Sequence, residues 1–318
     1  MQTARVLPLR EQPVSLETGR LNVAIGPRNG PPLVLIHGVL RGWRDFQKII
    51  PALIPEWQLF AIDLRGHGDS NHAPGAYLVA DYLNDVCALL EEQVREPAVI
   101  WGHSLGALLG GLAAVRKPEC VRALVLEDPP VTVLGPAIQK TYFFRQFAGI
   151  KALLAKHGSQ SDLLSALLDL PVQHPATGAE VRLGELRSVE SLQFSAECLS
   201  RVDPEVLTPL IEGRWLAGID VMREFKRITC PTLILRGEAE RGAMLLSREA
   251  RELADSLRKS VLIDVPGVGH LIHETEPEKT LGIVQDFLGR FFAIPSPGGE
   301  GRVRADFIGR FTKANTCI

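Results

Sequence analysis

Six short apolar runs punctuate the chain: "PLVLIH" from Pro32, "WQLFAID" from Trp57, "AVIWGHS" from Ala98, "VRALVLED" from Val121, "PTLILRG" from Pro231 and "SVLIDVPG" from Ser260. Their apolar residues sit at consecutive rather than alternate positions, which suits strands buried on both faces. The longer amphipathic stretches between most of them suit crossover helices, so the pattern predicts a mainly parallel α/β sheet. Ahead of the first run, "VSLETGRLNVAIG" alternates apolar and polar residues on both sides of Thr18-Gly19. That segment predicts an antiparallel hairpin.

The rhythm breaks once. Between Pro129 and Cys230 the strand signals stop, and stretches such as "SDLLSALLDL" and "SLQFSAECL" are rich in Leu, Phe and Ala. So long a connection is not needed inside a compact domain and predicts an inserted helical subdomain. The expected organisation is an α/β core over 1–129 and 226–294, an all-helical cap over 130–225, and a Gly-rich, mildly basic tail over 295–318.

Composition narrows the function classes. A net charge of −2 over 318 residues leaves no electrostatic footprint for nucleic acid or an anionic membrane surface. No segment has the apolar length of a signal peptide core or of a membrane helix, which needs roughly 18 apolar residues. Five scattered cysteines without CxxC spacing argue against a disulfide framework or a zinc site. The expectation is a soluble, cytoplasmic protein, a monomer or homodimer, with a small-molecule substrate, no nucleic-acid partner and no membrane span.

The chemistry starts at "GHSLG", Gly102 to Gly106, which follows a predicted strand and opens a predicted helix. In a tight strand-to-helix turn the glycines admit neighbouring backbone while the serine is held strained with its hydroxyl exposed. Ser104 is therefore either a nucleophile or simply the N-cap of that helix. A nucleophilic serine needs a base, and His270, in the loop after the last strand run, is the best placed of eight histidines. His273 is expected at the pocket or the surface, and "HLIHE" matches no zinc motif, so no metal is expected. His103 should point away from the serine's face, and His67 should be structural. In "LIHGVLRGW" the backbone N–H of Val39 can join that of Leu105 in facing a developing oxyanion. His37, Gly38 and Leu40 are expected near the substrate, and Trp215 is either a residue that closes over it or a structural tryptophan.

With "LIHGVLRGW", "FAIDLRGHGDS", "VIWGHSLGALLGG", "ALVLEDPP", "CPTLILRGEAE" and "VPGVGHLIHETEP" in this order, the sequence resembles the α/β-hydrolase superfamily from about Val14 to Phe292. The resemblance implies an α/β-hydrolase fold: a mostly parallel eight-stranded sheet flanked by helices, the active site at the strands' C-terminal ends and a helical lid above it. It also implies a carboxylate behind His270, and here the chain departs from the usual pattern. Where such enzymes often carry Gly-x-x-Asp, this chain reads Gly237-Glu238-Ala239-Glu240. Other members carry the acid at the end of the preceding strand, where Asp128 stands. Asp128 is favoured because it is short and followed by two prolines; Glu240 is the alternative, with Glu127 and Glu238 behind it.

The activity expected is that of a serine hydrolase of the esterase or lactonase type, with no cofactor. Lid residues such as Phe143, Phe144, Phe147 and Phe194 exceed what an exposed face requires; most read as helix core, and a minority lining a pocket would favour a substrate with an apolar or aromatic part. The alternatives are a C–C bond hydrolase of a ring-cleavage product and a ligand receptor with little turnover. The former wants a basic clamp for a carboxylate, and no residue in the sequence identifies itself as one.

Overall fold

The computed structural model describes residues 9–156 and 159–292. The tail expected over 295–318 lies outside the described residues. The hairpin and the six apolar runs become the eight strands of one sheet: β1 (Arg10–Leu16), β2 (Gly19–Ile25), β3 (Pro32–Ile36), β4 (Gln58–Ile62), β5 (Ala98–His103), β6 (Val121–Glu127), then, after the insertion, two more. A small ribbon within the insertion supplies β7 (Pro171–Gln173) and β8 (Glu180–Arg182). The main sheet is completed by β9 (Thr232–Arg236) and β10 (Ser260–Asp264).

The sheet order is β1-β2-β4-β3-β5-β6-β9-β10. Pairing is antiparallel at β1/β2 and β2/β4 and parallel from β4 onward. The β1/β2 turn is Glu17-Thr18, because Leu16 pairs with Gly19.

Continuous apolar runs are required here because both faces of the sheet are covered. Val34 and Ile36 of β3, Ile100 of β5 and Leu124 and Leu126 of β6 enter one core. Their alternates, Leu33, Leu35, Val99, Trp101, Ala123 and Val125, enter the other. The first core is closed by α1 (Val79–Leu89) and α2 (Leu105–Arg116), whose Val86, Leu105, Leu108 and Leu112 are buried.

Between β6 and β9 the chain forms α3 (Tyr142–Leu154), α4 (Gln160–Leu168), α5 (Val189–Leu199) and shorter turns. The expectation of helices alone is corrected by the antiparallel ribbon β7/β8, paired from Pro171↔Arg182 to Gln173↔Glu180. Each of its strands has three residues, most not fully buried, too few for a period-2 pattern to register. Beyond the insertion, α6 (Ser247–Ser256) joins the first core through Ala250 and Leu253. The second core is closed by α7 (Pro277–Phe291), through Val284, Phe287 and Leu288. None of the described helices is long and apolar enough to cross a membrane.

Candidate active site

β5 runs into α2 through a single residue, Ser104, held at φ 54° and ψ −115°. This is costly for a residue with a Cβ and persists only where the surroundings dictate it. The flanking glycines show how tightly the turn is wrapped. A Cβ on Gly102 would lie 2.1 Å from Gly106 O, and one on Gly106 would lie 1.9 Å from Ile36 O. Ser104 occupies the N-cap position of α2, yet its side chain makes no capping hydrogen bond. The capping role open to this residue on sequence grounds is therefore not the one its hydroxyl plays.

Asp128 follows the last residue of β6 and also takes a left-handed conformation, φ 45°. Its N–H donates to Leu235 O of β9 at 2.8 Å. Its buried carboxylate accepts the N–H of Met244 at 2.7 Å and of Leu245 at 3.1 Å. His270 comes from the loop after β10 and places Nδ1 2.6 Å from Asp128 Oδ2. Burial lowers the His270 pKa, partly offset by the hydrogen bond to Asp128. The loop is set by a backbone contact, since a Cβ on Gly237 would fall 2.1 Å from Gly269 O.

Among the described residues none of the rival acids hydrogen-bonds the His270 ring, although Glu238 and Glu240 line the same cavity as Ser104. Glu240 is exposed in the short turn Ala239–Arg241 and makes no hydrogen bond to His270. Arg241 pairs with Glu238, at 2.9 Å, rather than with Glu240. Glu127 points into the other side of the sheet, where its Oε1 lies 2.7 Å from His273 Nδ1 and its Oε2 accepts the Trp101 indole N–H at 3.0 Å. His273 is fully buried, so its expected place at the pocket or surface is corrected. Burial alone would lower its pKa, but Glu127 and Asp45 outweigh that and hold it up at about 9. Glu127 is correspondingly held down to about 2, its own burial cost overcome by His273.

The loop after β3 lies opposite. Two buried histidines, kept neutral by burial with pKa values lowered to about 4 for His37 and about 3 for His67, hold it in place. His37 Nε2 accepts the N–H of Leu64, and His67 Nε2 accepts that of Leu40, each at 3.0 Å. Leu40 is left-handed, φ 67°, which turns the chain just after Val39. Among the described residues neither the Val39 N–H nor the Leu105 N–H has a protein acceptor.

Ser104, His270, Val39 and Gly38 share the wall of one cavity of about 1010 Å³. Leu40 lines it as expected, and so do Phe143, Phe147 and Phe194 of the insertion. Two expectations are corrected. His37 lies behind the loop, fully buried, and Trp215 is a core residue whose carbonyl accepts the Val79 N–H at 3.0 Å. Neither is part of the cavity lining, because each is engaged in joining elements of the scaffold. His103 faces Asp45 Oδ2 at 3.3 Å with Nδ1 and donates from Nε2 to His270 O at 3.1 Å, bracing the loop that carries His270.

The sequence reading missed a set of polar residues on the same wall: Arg41, Asp45, Arg187, Ser191, Ser195 and Glu274. Ser191 and Ser195 stand four apart on one face of α5 and Arg187 lies just before its N-cap Ser188, a spacing that is the one local signal linking these three. Among the described residues no group of three His, Cys, Asp or Glu has the geometry to hold a metal ion.

Residues 33–282 match the profile of the Alpha/beta hydrolase family. The chain belongs to that family. The 2-(acetamidomethylene)succinate hydrolase of Mesorhizobium japonicum is 27% identical over 283 residues, 86% of this chain and 94% of that protein. Among solved structures, an enol-lactonase from Burkholderia xenovorans superposes with a TM-score of 0.69 at 20% identity, covering 87% of this α/β hydrolase and all of its counterpart (100%). A carboxylesterase from Bacillus subtilis superposes with a TM-score of 0.64 at 21% identity, covering 89% and 92% of the two chains. At these identities the structural likeness establishes the fold alone.

Proposed function

We propose that this α/β hydrolase is a serine hydrolase that cleaves a carboxylic ester or lactone through an acyl-enzyme, with Ser104, His270 and Asp128 as its catalytic triad. The observation that carries the reading is the 2.6 Å contact of His270 Nδ1 with Asp128, which leaves Nε2 as the free nitrogen of an imidazole sharing a cavity wall with Ser104.

His270 Nε2 takes the Ser104 hydroxyl proton as Oγ adds to the substrate carbonyl. The carbonyl oxygen becomes an oxyanion that accepts the N–H groups of Val39 and Leu105. Collapse breaks the bond to the leaving oxygen, which receives the proton from His270. A water then gives its proton to His270 and adds to the acyl carbon, and expulsion of Ser104 Oγ with that proton releases the carboxylic acid. Asp128 accepts Nδ1–H throughout and stabilises the imidazolium. The segment 130–225 acts as the cap, and Phe143, Phe147 and Phe194 offer an apolar surface to the substrate. A lactonase and a carboxylesterase among the structural neighbours fit this chemistry.

The test is covalent labelling by a fluorophosphonate, read by mass spectrometry, beside a screen of p-nitrophenyl esters and lactones. Labelling at Ser104, lost with hydrolysis in Ser104→Ala, is the expected result. An unlabelled wild-type protein, or a Ser104→Ala variant with undiminished hydrolysis, defeats the proposal.

A further inference from the structure

Two guanidinium groups meet on the cavity wall. Arg41 lies two residues after Val39, and Arg187 lies just before α5. Arg41 Nη1 and Arg187 Nη2 both donate to the hydroxyl of Ser195, at 3.1 and 3.0 Å. Like charges brought this close need compensation. Arg41 has it: its Nε donates to Asp45 Oδ1 at 2.7 Å, its Nη2 pairs with Glu274, and its guanidinium lies 4.6 Å from the Phe194 ring centre.

Arg187 does not. Its hydrogen bonds all leave from Nη2, to Ser191 Oγ at 2.6 Å, Ser195 Oγ and, more weakly, Ser191 O at 3.4 Å. Its Nε is buried without a partner, and no carboxylate among the described residues lies within ion-pair distance. Glu274, the nearest acid in the network, is engaged by Arg41 and by the Ser191 hydroxyl. Burial, and then the neighbouring Arg41, lower the Arg187 pKa to about 10. Arg187 is partly buried, and the two carboxylates that act on it, Glu274 and Asp45, are both paired with Arg41. A cation left without an ion-pair partner of its own in such a place is unfavourable unless something else completes it.

We infer that Arg187, backed by Arg41, forms a subsite for a carboxylate carried by the substrate, remote from the carbonyl that Ser104 attacks. The inference rests on the ester or lactone reading above and narrows it to acidic esters or lactones. A carboxylate fits better than a phosphate for two reasons. The planar guanidinium matches carboxylate geometry. The same wall also carries Asp45, Glu185, Glu190 and Glu274, which oppose a dianion more than a single charge.

The experiment compares the p-nitrophenyl half-ester of glutarate with its neutral methyl-ester counterpart, and follows fluorophosphonate labelling of Ser104 with and without free glutarate. For the wild type, kcat/KM should favour the acidic substrate by roughly tenfold to a hundredfold. Glutarate should slow labelling more than glutaramide does at matched ionic strength. In Arg187→Met the substrate ratio should fall toward unity and glutarate protection should vanish, with Arg187→Lys restoring part of each. A wild type that is labelled but shows neither preference nor protection overturns the carboxylate subsite and leaves the hydrolase reading standing. A ratio that survives in a labelled Arg187→Met places the anion elsewhere and also overturns it. No labelling and no hydrolysis of either ester sinks the hydrolase reading itself, and the subsite with it. If Arg187→Met does not fold, the wild-type ratio and the glutarate protection decide.

Discussion

His270 Nδ1 stands 2.6 Å from Asp128 Oδ2, joining two residues 142 positions apart in the chain. Asp128 is held for this contact from three sides, by its left-handed backbone and by the amides of Met244 and Leu245. Asp128→Asn keeps the shape but offers an amide in place of one acceptor oxygen, which disfavours the productive histidine tautomer. The expected loss in kcat is about three to four orders of magnitude. Glu240→Gln, measured beside it on the same ester, should lose far less than tenfold. A reversed ranking would move the triad acid to the loop after β9.

The pH dependence follows from the environment of His270. Burial lowers its pKa below the ordinary 6.5, and the base works only when neutral. Activity should therefore rise with pH through a midpoint below 6.5 and be fully developed at neutrality. In Asp128→Asn the hydrogen bond that opposes the lowering is weakened, so the midpoint of the residual activity should move to still lower pH. A kcat/KM profile from pH 4 to 8 reads both; a wild-type midpoint above 6.5 contradicts the assignment.

A second histidine–carboxylate pair, Glu127 with His273, serves stability on the far side of the sheet. Removing its acid in Glu127→Gln takes away the closer of the two carboxylates facing buried His273, leaving Asp45 Oδ2 at 3.7 Å, and should cost about 3 kcal/mol. The signs on pH are opposite for the two partners. His273 is raised from 6.5 to about 9, so its contribution is complete below pH 6.5 and is lost as pH rises through about 9. Glu127 is lowered from 4.5 to about 2, so its contribution is complete above pH 4.5 and is lost as pH falls toward about 2. Thermal unfolding of the wild type and Glu127→Gln across pH 5 to 10 should show the gap between them narrowing between about 6.5 and 9. A gap that stays constant would mean that the pair does not titrate this way.

Two glycines should respond to alanine with opposite signs. Gly106→Ala drives a Cβ to 1.9 Å from Ile36 O and 2.9 Å from His37 O, both backbone atoms that cannot turn aside. It should abolish folding or lower stability by more than about 3 kcal/mol. Gly282 sits inside α7 with nothing within 4 Å of a Cβ. Gly282→Ala should stabilise by roughly 0.5–1 kcal/mol through helix propensity. Denaturant midpoints compare the two directly.

The sequence alone determined the eight strands and the turn that carries Ser104. Burial on both faces imposes consecutive apolar residues, and a strand-to-helix turn wrapped this tightly demands glycine on either side of the serine; both constraints act within a few neighbouring positions. His270 was legible for a similar reason, as the histidine in the loop after the last strand. The choice between Asp128 and Glu240 was not, because both are plausible locally. Only the tertiary structure sets Asp128 against His270, held there by the amides of Met244 and Leu245, 116 and 117 residues away from Asp128. His273, expected at the pocket or the surface, and Trp215, a candidate for the substrate pocket, are both buried by packing, and the three-residue strands of the β7/β8 ribbon are too short to register as a pattern. Only the tertiary structure brings Arg41, Arg187 and Ser195 to one wall: Arg41 and Ser195 are separated by 154 residues, so no local pattern could encode their meeting. Strand periodicity and turn strain are properties of neighbours along the chain, whereas the partner of a buried charge is chosen by whatever the fold packs against it.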